Sequence, residues 1–136
     1  MRVVLDTNVL VSALYKPGSV PDRAIAALWE HDATVLFDAR IADEYRSVLA
    51  RPKFGSIARA RIDALLERIF ARGQEVGPVA SWRGPLRDEG DRIFVELALS
   101  ATVDAVVTGN IKHYPLGLGF EVLPPASLLA QLSAAR

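Results

Sequence analysis

Apolar positions along this chain follow two rhythms. Short runs at residues 2–5, 34–37, 105–108 and 120–123 stand between turn or polar residues and read as buried strands, since a strand covered on both faces shows water no polar side. Between them, apolar residues recur every three or four positions, the spacing of a helix face. That spacing predicts helices over 9–14, over 20–31 with Ile25, Leu28 and Trp29 inward, and over 39–50 with Ile41, Tyr45, Val48 and Leu49 on one arc. The third of these must stop at Arg51-Pro52, because the residue before a proline is pushed out of the helical region. A fourth helix is expected from a cap at Ser56, through Ile62, Leu66 and Ile69, to Gly73; two more cover 91–101 and 125–134. Residues 76–79 read as a short edge strand, since Pro78 removes a ladder donor. Residues 81–90 read as a polar loop.

Strands alternating with helices imply right-handed crossovers and a three-layer α/β/α domain around a mostly parallel sheet of about five strands. With 136 residues there is room for a single domain, 1–136. Two successive helices fall between the second and third strands. They carry Arg46, Arg51, Lys53, Arg59, Arg61, Arg68 and Arg72 against Asp63 and Glu67, a basic arm in a chain whose 16 basic and 16 acidic residues otherwise balance. No apolar run reaches the roughly 18 residues needed to cross a bilayer, and no signal-like segment opens the chain, so a cytoplasmic protein is expected. The absence of cysteine excludes thiolate chemistry, and two histidines far apart leave oxygen as the expected donor to any metal.

The informative polar residues are those set where a polar group is out of place. Asp6 closes the first apolar strand, and Asn110 follows the strand at 105–108, both at the carboxyl ends where open α/β sheets bind ligands. Glu44 falls within the apolar arc of its helix, and Asp91 lies one turn before Phe94 on the buried stripe of another. Each has an ordinary explanation. Asp6, Asp91, Asp88 and Asp38 are all placed to cap helices, and Glu44 to pair with Arg40 or Arg92. Independent caps, however, do not require that acids from separate crossovers meet at one crevice. Clustered carboxylates raise one another's pKa, and a divalent cation relieves the repulsion. Oxygen donors select magnesium or manganese, and such ions promote water attack on phosphodiesters.

The same residues lie in motifs that resemble the PIN-domain ribonucleases, specifically the VapC-like toxins of toxin–antitoxin pairs. Asp6-Thr7-Asn8-Val9-Leu10 is similar to the family's opening motif, and Asp43-Glu44-Tyr45-Arg46 followed by Arg51-Pro52-Lys53-Phe54 to its second. Asp88-Glu89-Gly90-Asp91 resembles the third, and Val107-Thr108-Gly109-Asn110 with Lys112-His113-Tyr114-Pro115 the fourth. The resemblance implies a PIN-like fold in which Asp6, Glu44 and Asp91 bind Mg²⁺ or Mn²⁺ and Asn110 stands where many relatives have a fourth aspartate. It implies hydrolytic cleavage of RNA, a homodimer, and an antitoxin protein that covers the groove. Thr108 is a possible helper, His113 a packing or RNA contact, and Trp82 a cover for the core edge or a stacking platform.

The expected function is therefore a metal-dependent endoribonuclease leaving 5′-phosphate and 3′-hydroxyl ends. Two other readings compete with it. A phosphoryl-transfer or signalling domain would use Asp6 or Asp38 as phosphoacceptor but leaves Glu44 idle. A catalytically inactive RNA- or partner-binding module would account for the missing charge at Asn110.

Overall fold

The computed structural model describes residues 1–134 and contains five strands and six helices. They follow the order β1 (Arg2–Leu5), α1 (Thr7–Tyr15), α2 (Val20–Glu30), β2 (Thr34–Phe37), α3 (Ala39–Leu49), α4 (Arg59–Arg72), β3 (Gln74–Glu75), α5 (Arg92–Ala101), β4 (Ala105–Val107), β5 (Glu121–Leu123) and α6 (Pro125–Ala134). The sheet is wholly parallel with strand order β3-β2-β1-β4-β5. Its central strands are the apolar runs of the sequence: Val3, Val4, Leu5, Val35, Leu36, Val106 and Val107 are all fully buried. Each such side chain contributes about 1.5–3 kcal/mol through its removal from water.

Helices α1, α2 and α6 pack together, as do α3, α4 and α5, and these two groups make the outer layers. The two consecutive basic helices form the crossover between β2 and β3, and both pack on β2. Ile25 and Trp29 belong to the core beneath α2, so they do not form an exposed face.

The strand order places the site. β1 is followed by β2 on one side, while β4 pairs on its other side with Leu5 opposite Val107. A crevice therefore opens between the carboxyl ends of β1 and β4, where the chain reverses its direction of travel across the sheet. The first residues beyond these ends, Asp6 and Thr108, are neighbours, and the Asp6 N–H donates to the Val107 carbonyl at 2.9 Å.

Two boundaries differ from the sequence reading. The fourth helix begins at Arg59, capped by the backbone of Ala58 rather than by the Ser56 hydroxyl. A short 3-10 turn at Pro52–Phe54 carries on through a bond from Ile57 N–H to the Phe54 carbonyl, which carries the chain past Ser56 before the helix starts. The edge strand is Gln74–Glu75 instead of 76–79, because β2 ends at Phe37 and gives the ladder no partner beyond the bond from Val76 N–H to the Phe37 carbonyl.

Candidate metal centre

Asp6 is 6% exposed, and both of its carboxylate oxygens are engaged. Oδ1 accepts from the N–H of Asn8 at 3.3 Å, the capping bond of α1. Oδ2 accepts from the Thr108 hydroxyl at 3.0 Å and from the Tyr114 hydroxyl at 2.8 Å. Thr108 Oγ1 in turn accepts from Asn8 Nδ2 at 3.3 Å and from the Asn110 N–H at 3.0 Å, while the Gly109 N–H donates to Asn8 Oδ1 at 2.9 Å. The loop after β4 is thus stitched to the loop after β1, and Asp6 is held in one orientation by donors from both. Burial, followed by the charges of Asp6 and Asp91, pushes the Tyr114 phenol pKa up, so Tyr114 stays a proton donor.

Asp91 is positioned differently. It ends a 3-10 turn, Glu89–Asp91, at the N-cap of α5, yet its side chain makes no capping bond. The residue is 8% exposed and its Oδ2 is buried without a hydrogen-bond partner. Burial, then the charge of Asp6, then that of Asp88, raises its pKa to about 7. A buried carboxylate oxygen left bare costs free energy that a bound cation recovers. The capping role weighed from sequence does not describe Asp91, whereas it does describe Asp88, which accepts from the Gly90 N–H at 2.9 Å, and Asp38, which accepts from the Ile41 N–H at 2.9 Å.

Among the described residues, the tight group of metal-capable side chains is Asp88, Asp91 and His113, with ligand atoms within 4.8 Å of one another. His113 Nδ1 stands 3.9 Å from the bare Oδ2 of Asp91. A nitrogen donor thus joins a site for which the sequence suggested oxygen alone. Asp6 and Glu44 are not in that tight group; Asp6 is tied to Asp91 through its charge.

Glu44 is half-buried on α3, one residue before Tyr45. The fully buried Tyr45 hydroxyl donates to the Leu5 carbonyl beside Asp6 and so pins this turn of α3 to the end of β1. Among the described residues no ion pair or side-chain hydrogen bond reaches Glu44. Arg40 is taken by Asp38 at 3.0 Å and Glu96 at 2.7 Å, and Arg92 by Glu89 at 2.6 Å, so neither is the partner considered for Glu44. Asn110 contributes its backbone N–H to the network, while the residue itself is exposed at the mouth of the crevice.

Sequence reasoning did not single out Tyr114, Asn8 or the Tyr45 hydroxyl for the site. The available signal was a tyrosine within an apolar stripe or loop, since a buried phenol must find a partner. Trp82 covers the edge of α5: its N–H donates to Glu96 at 2.9 Å, Arg92 donates to its carbonyl at 2.8 Å, and its ring lies between Gly84 and the Arg92 guanidinium. A Cβ on Gly84 would fall 1.9 Å from the ring, so only glycine fits there.

A family model described as PIN domain matches residues 2–112, most of the chain and all of Asp6, Glu44, Asp91 and Asn110. The chain belongs to the PIN-domain family. Proteins of this family are generally metal-dependent nucleases, and the acidic cluster at the β1–β4 crevice suits that chemistry. No curated protein and no solved structure gives a significant match. Among the described residues of this PIN domain, no helix is long and apolar enough to cross a membrane.

Proposed function

We propose that this PIN domain is a divalent-metal-dependent endoribonuclease, the toxin of a toxin–antitoxin pair, acting in the cytoplasm as a homodimer. The observation that carries the catalytic reading is Asp91 Oδ2, buried and unpartnered beside the charge of Asp6. Such an atom fits a hard cation better than it fits any protein donor nearby. Asp6, Glu44 and Asp91 would hold Mg²⁺ or Mn²⁺, with Asn110 completing the polar shell and Asp88 and His113 at its edge. When bound, the ion neutralises charge on the phosphodiester and favours attack by water. Thr108 and Tyr114 hold Asp6 in one orientation, the supporting role that polar neighbours of metal ligands serve.

The toxin and antitoxin assignments rest on the motif resemblance from Asp6 to Tyr114, and the choice of RNA rests there too. The phosphoacceptor alternative is weakened at Asp38, whose oxygens are occupied by the Ile41 N–H and by Arg40. The decisive assay incubates purified protein with mixed RNA in Mg²⁺, Mn²⁺ or EDTA, with Asp6→Asn as control, and identifies the product ends. Cation-dependent cleavage giving 5′-phosphate and 3′-hydroxyl ends is expected. A 2′,3′-cyclic phosphate, or cleavage that persists in EDTA, rules the proposal out.

A further inference from the structure

The basic helices α3 and α4 are less available to a polyanion than their composition suggests. Arg46 pairs with Asp43 and lies over the Phe70 ring, Arg59 pairs with Asp63, Arg61 donates to the Leu14 carbonyl, and Arg72 engages Asp32 and the Trp29 carbonyl. Positive charge committed in this way is partly neutralised before any ligand arrives.

At the metal centre the situation is reversed. A recess of about 250 Å³ is walled by Arg87, Asn110, Lys112 and His113, and His113 is also the member of the metal-capable group that stands beside Asp88 and Asp91. A second recess, of about 390 Å³, shares Arg87, Ile111 and Lys112 with the first and continues over Leu116 and Val122. Among the described residues, neither Arg87 nor Lys112 has an acid within ion-pair distance or a side-chain hydrogen bond. Leu116 is 86% exposed and Ile111 43%, two of the few large apolar side chains this chain leaves in water. Gly117 and Gly119, both at positive φ, turn the loop that presents Leu116.

We infer that this continuous groove is the seat of a single-stranded RNA segment, with Arg87 and Lys112 each on a phosphate near the one cleaved and an unstacked base lying on Leu116 and Ile111. The inference rests on the nuclease reading and extends it by locating the substrate strand. Two free cations beside an acidic cluster offset the repulsion that cluster exerts on a phosphate chain. An apolar floor has no use for a duplex, whose bases face inward, but it accepts a splayed base by its flat face. The combination of cations and apolar surface in one groove is what a single strand presents in complementary form.

Binding is measured by fluorescence anisotropy in EDTA, where no cleavage occurs, using the full chain with a labelled single-stranded RNA and with the corresponding duplex. Wild type is expected to bind the single strand at least tenfold more tightly. The double variant Arg87→Ala/Lys112→Ala should lose about tenfold or more and reduce the salt slope by roughly 1.5, the share of two phosphate contacts. Leu116→Ser should weaken the single strand and leave the duplex unchanged. Arg51→Ala/Arg68→Ala, in the turn between the basic helices and on α4, should stay within twofold of wild type. All five positions are exposed, so folding is expected to survive and circular dichroism checks it.

Single-strand affinity within twofold of wild type for Arg87→Ala/Lys112→Ala, a larger loss for Arg51→Ala/Arg68→Ala, or no binding by wild type would each overturn the assignment. So would a Leu116→Ser variant that keeps RNA affinity but turns a dimer into a monomer in sedimentation, since the groove would then seat a second copy. Failure of the nuclease reading is separately visible as absence of cation-dependent cleavage with binding intact.

Discussion

Tyr114 donates its hydroxyl to Asp6 Oδ2 at 2.8 Å across 108 residues of chain, tying the loop beyond β4 to the acid at the end of β1. The bond fixes one carboxylate of the proposed metal centre, while another, Asp91, has no protein donor at Oδ2. Tyr114→Phe removes the donor and little else. We expect a stability loss of about 1 kcal/mol, a fall in Tm of roughly 4 °C. Cation-dependent kcat/KM should fall by about tenfold or more, as for other groups that orient a metal ligand. Thermal unfolding and steady-state cleavage check the two halves.

Asp91 carries the opposite sign of effect. Its raised pKa means that the folded metal-free protein holds this proton more tightly than the unfolded chain does. The resulting penalty is absent below the unfolded value of 3.8, grows as pH rises, and is complete above about 7. Metal-free protein should therefore gain stability from this group on acidification from pH 7 toward pH 4. A raised pKa is worth about 1.4 kcal/mol per unit, so after discounting for solvent at the mouth of the crevice we expect Asp91→Asn to raise stability at pH 7 by roughly 2 kcal/mol. Added Mn²⁺ should stabilise wild type and not the variant, and cleavage by the variant should be lost. Tm measured against pH, with and without Mn²⁺, reads all of this; a variant less stable than wild type in EDTA would contradict it.

Glu96 behaves as a structural acid. Burial pushes its pKa up, but the hydrogen bonds from Arg40 and from the Trp82 N–H outweigh this and hold it below its usual value. Its contribution is present above the unfolded value of 4.5 and is lost as pH falls below that, so it does not mask the Asp91 effect between pH 5 and pH 7. Glu96→Ala removes one tie between the loop at 80–90 and α5 and leaves the Trp82 backbone N–H and Arg40 without this partner, at an expected loss of about 2 kcal/mol in urea unfolding.

His113 tests the donor set. A nitrogen ligand matters more to manganese than to magnesium, which prefers oxygen and keeps its waters. His113→Ala should weaken Mn²⁺ binding by about tenfold while leaving Mg²⁺ binding nearly unchanged, as measured by calorimetry. Equal losses for both ions would place His113 outside the coordination shell.

The strands and most helices were legible because burial on both faces, or on one, writes itself as a run or a period. Asp6 was legible from its address, and Asp91 from its place one turn before Phe94. The place of Tyr114 and His113 beside the acids was not, because they lie in a loop whose path back over Asp6 is set by bonds from Thr108, Gly109 and Asn110 and not by any periodicity. Composition likewise counts charges without their partners: Asp43, Asp63 and Asp32 pair with Arg46, Arg59 and Arg72 of the basic helices. Glu44 was noticed as an acid within an apolar arc, and the Tyr45 bond to Leu5 is the physical reason that this turn of α3 stays near β1.

The most direct test is an anomalous difference map at the manganese edge from crystals grown with Mn²⁺. A single strong peak in the β1–β4 crevice, with carboxylate oxygens of Asp6, Glu44 and Asp91 in its coordination shell, is the expected result. A crevice without a peak, or an ion held with Glu44 turned away and Asp91 Oδ2 still bare, would contradict the proposed metal centre and the nuclease built on it.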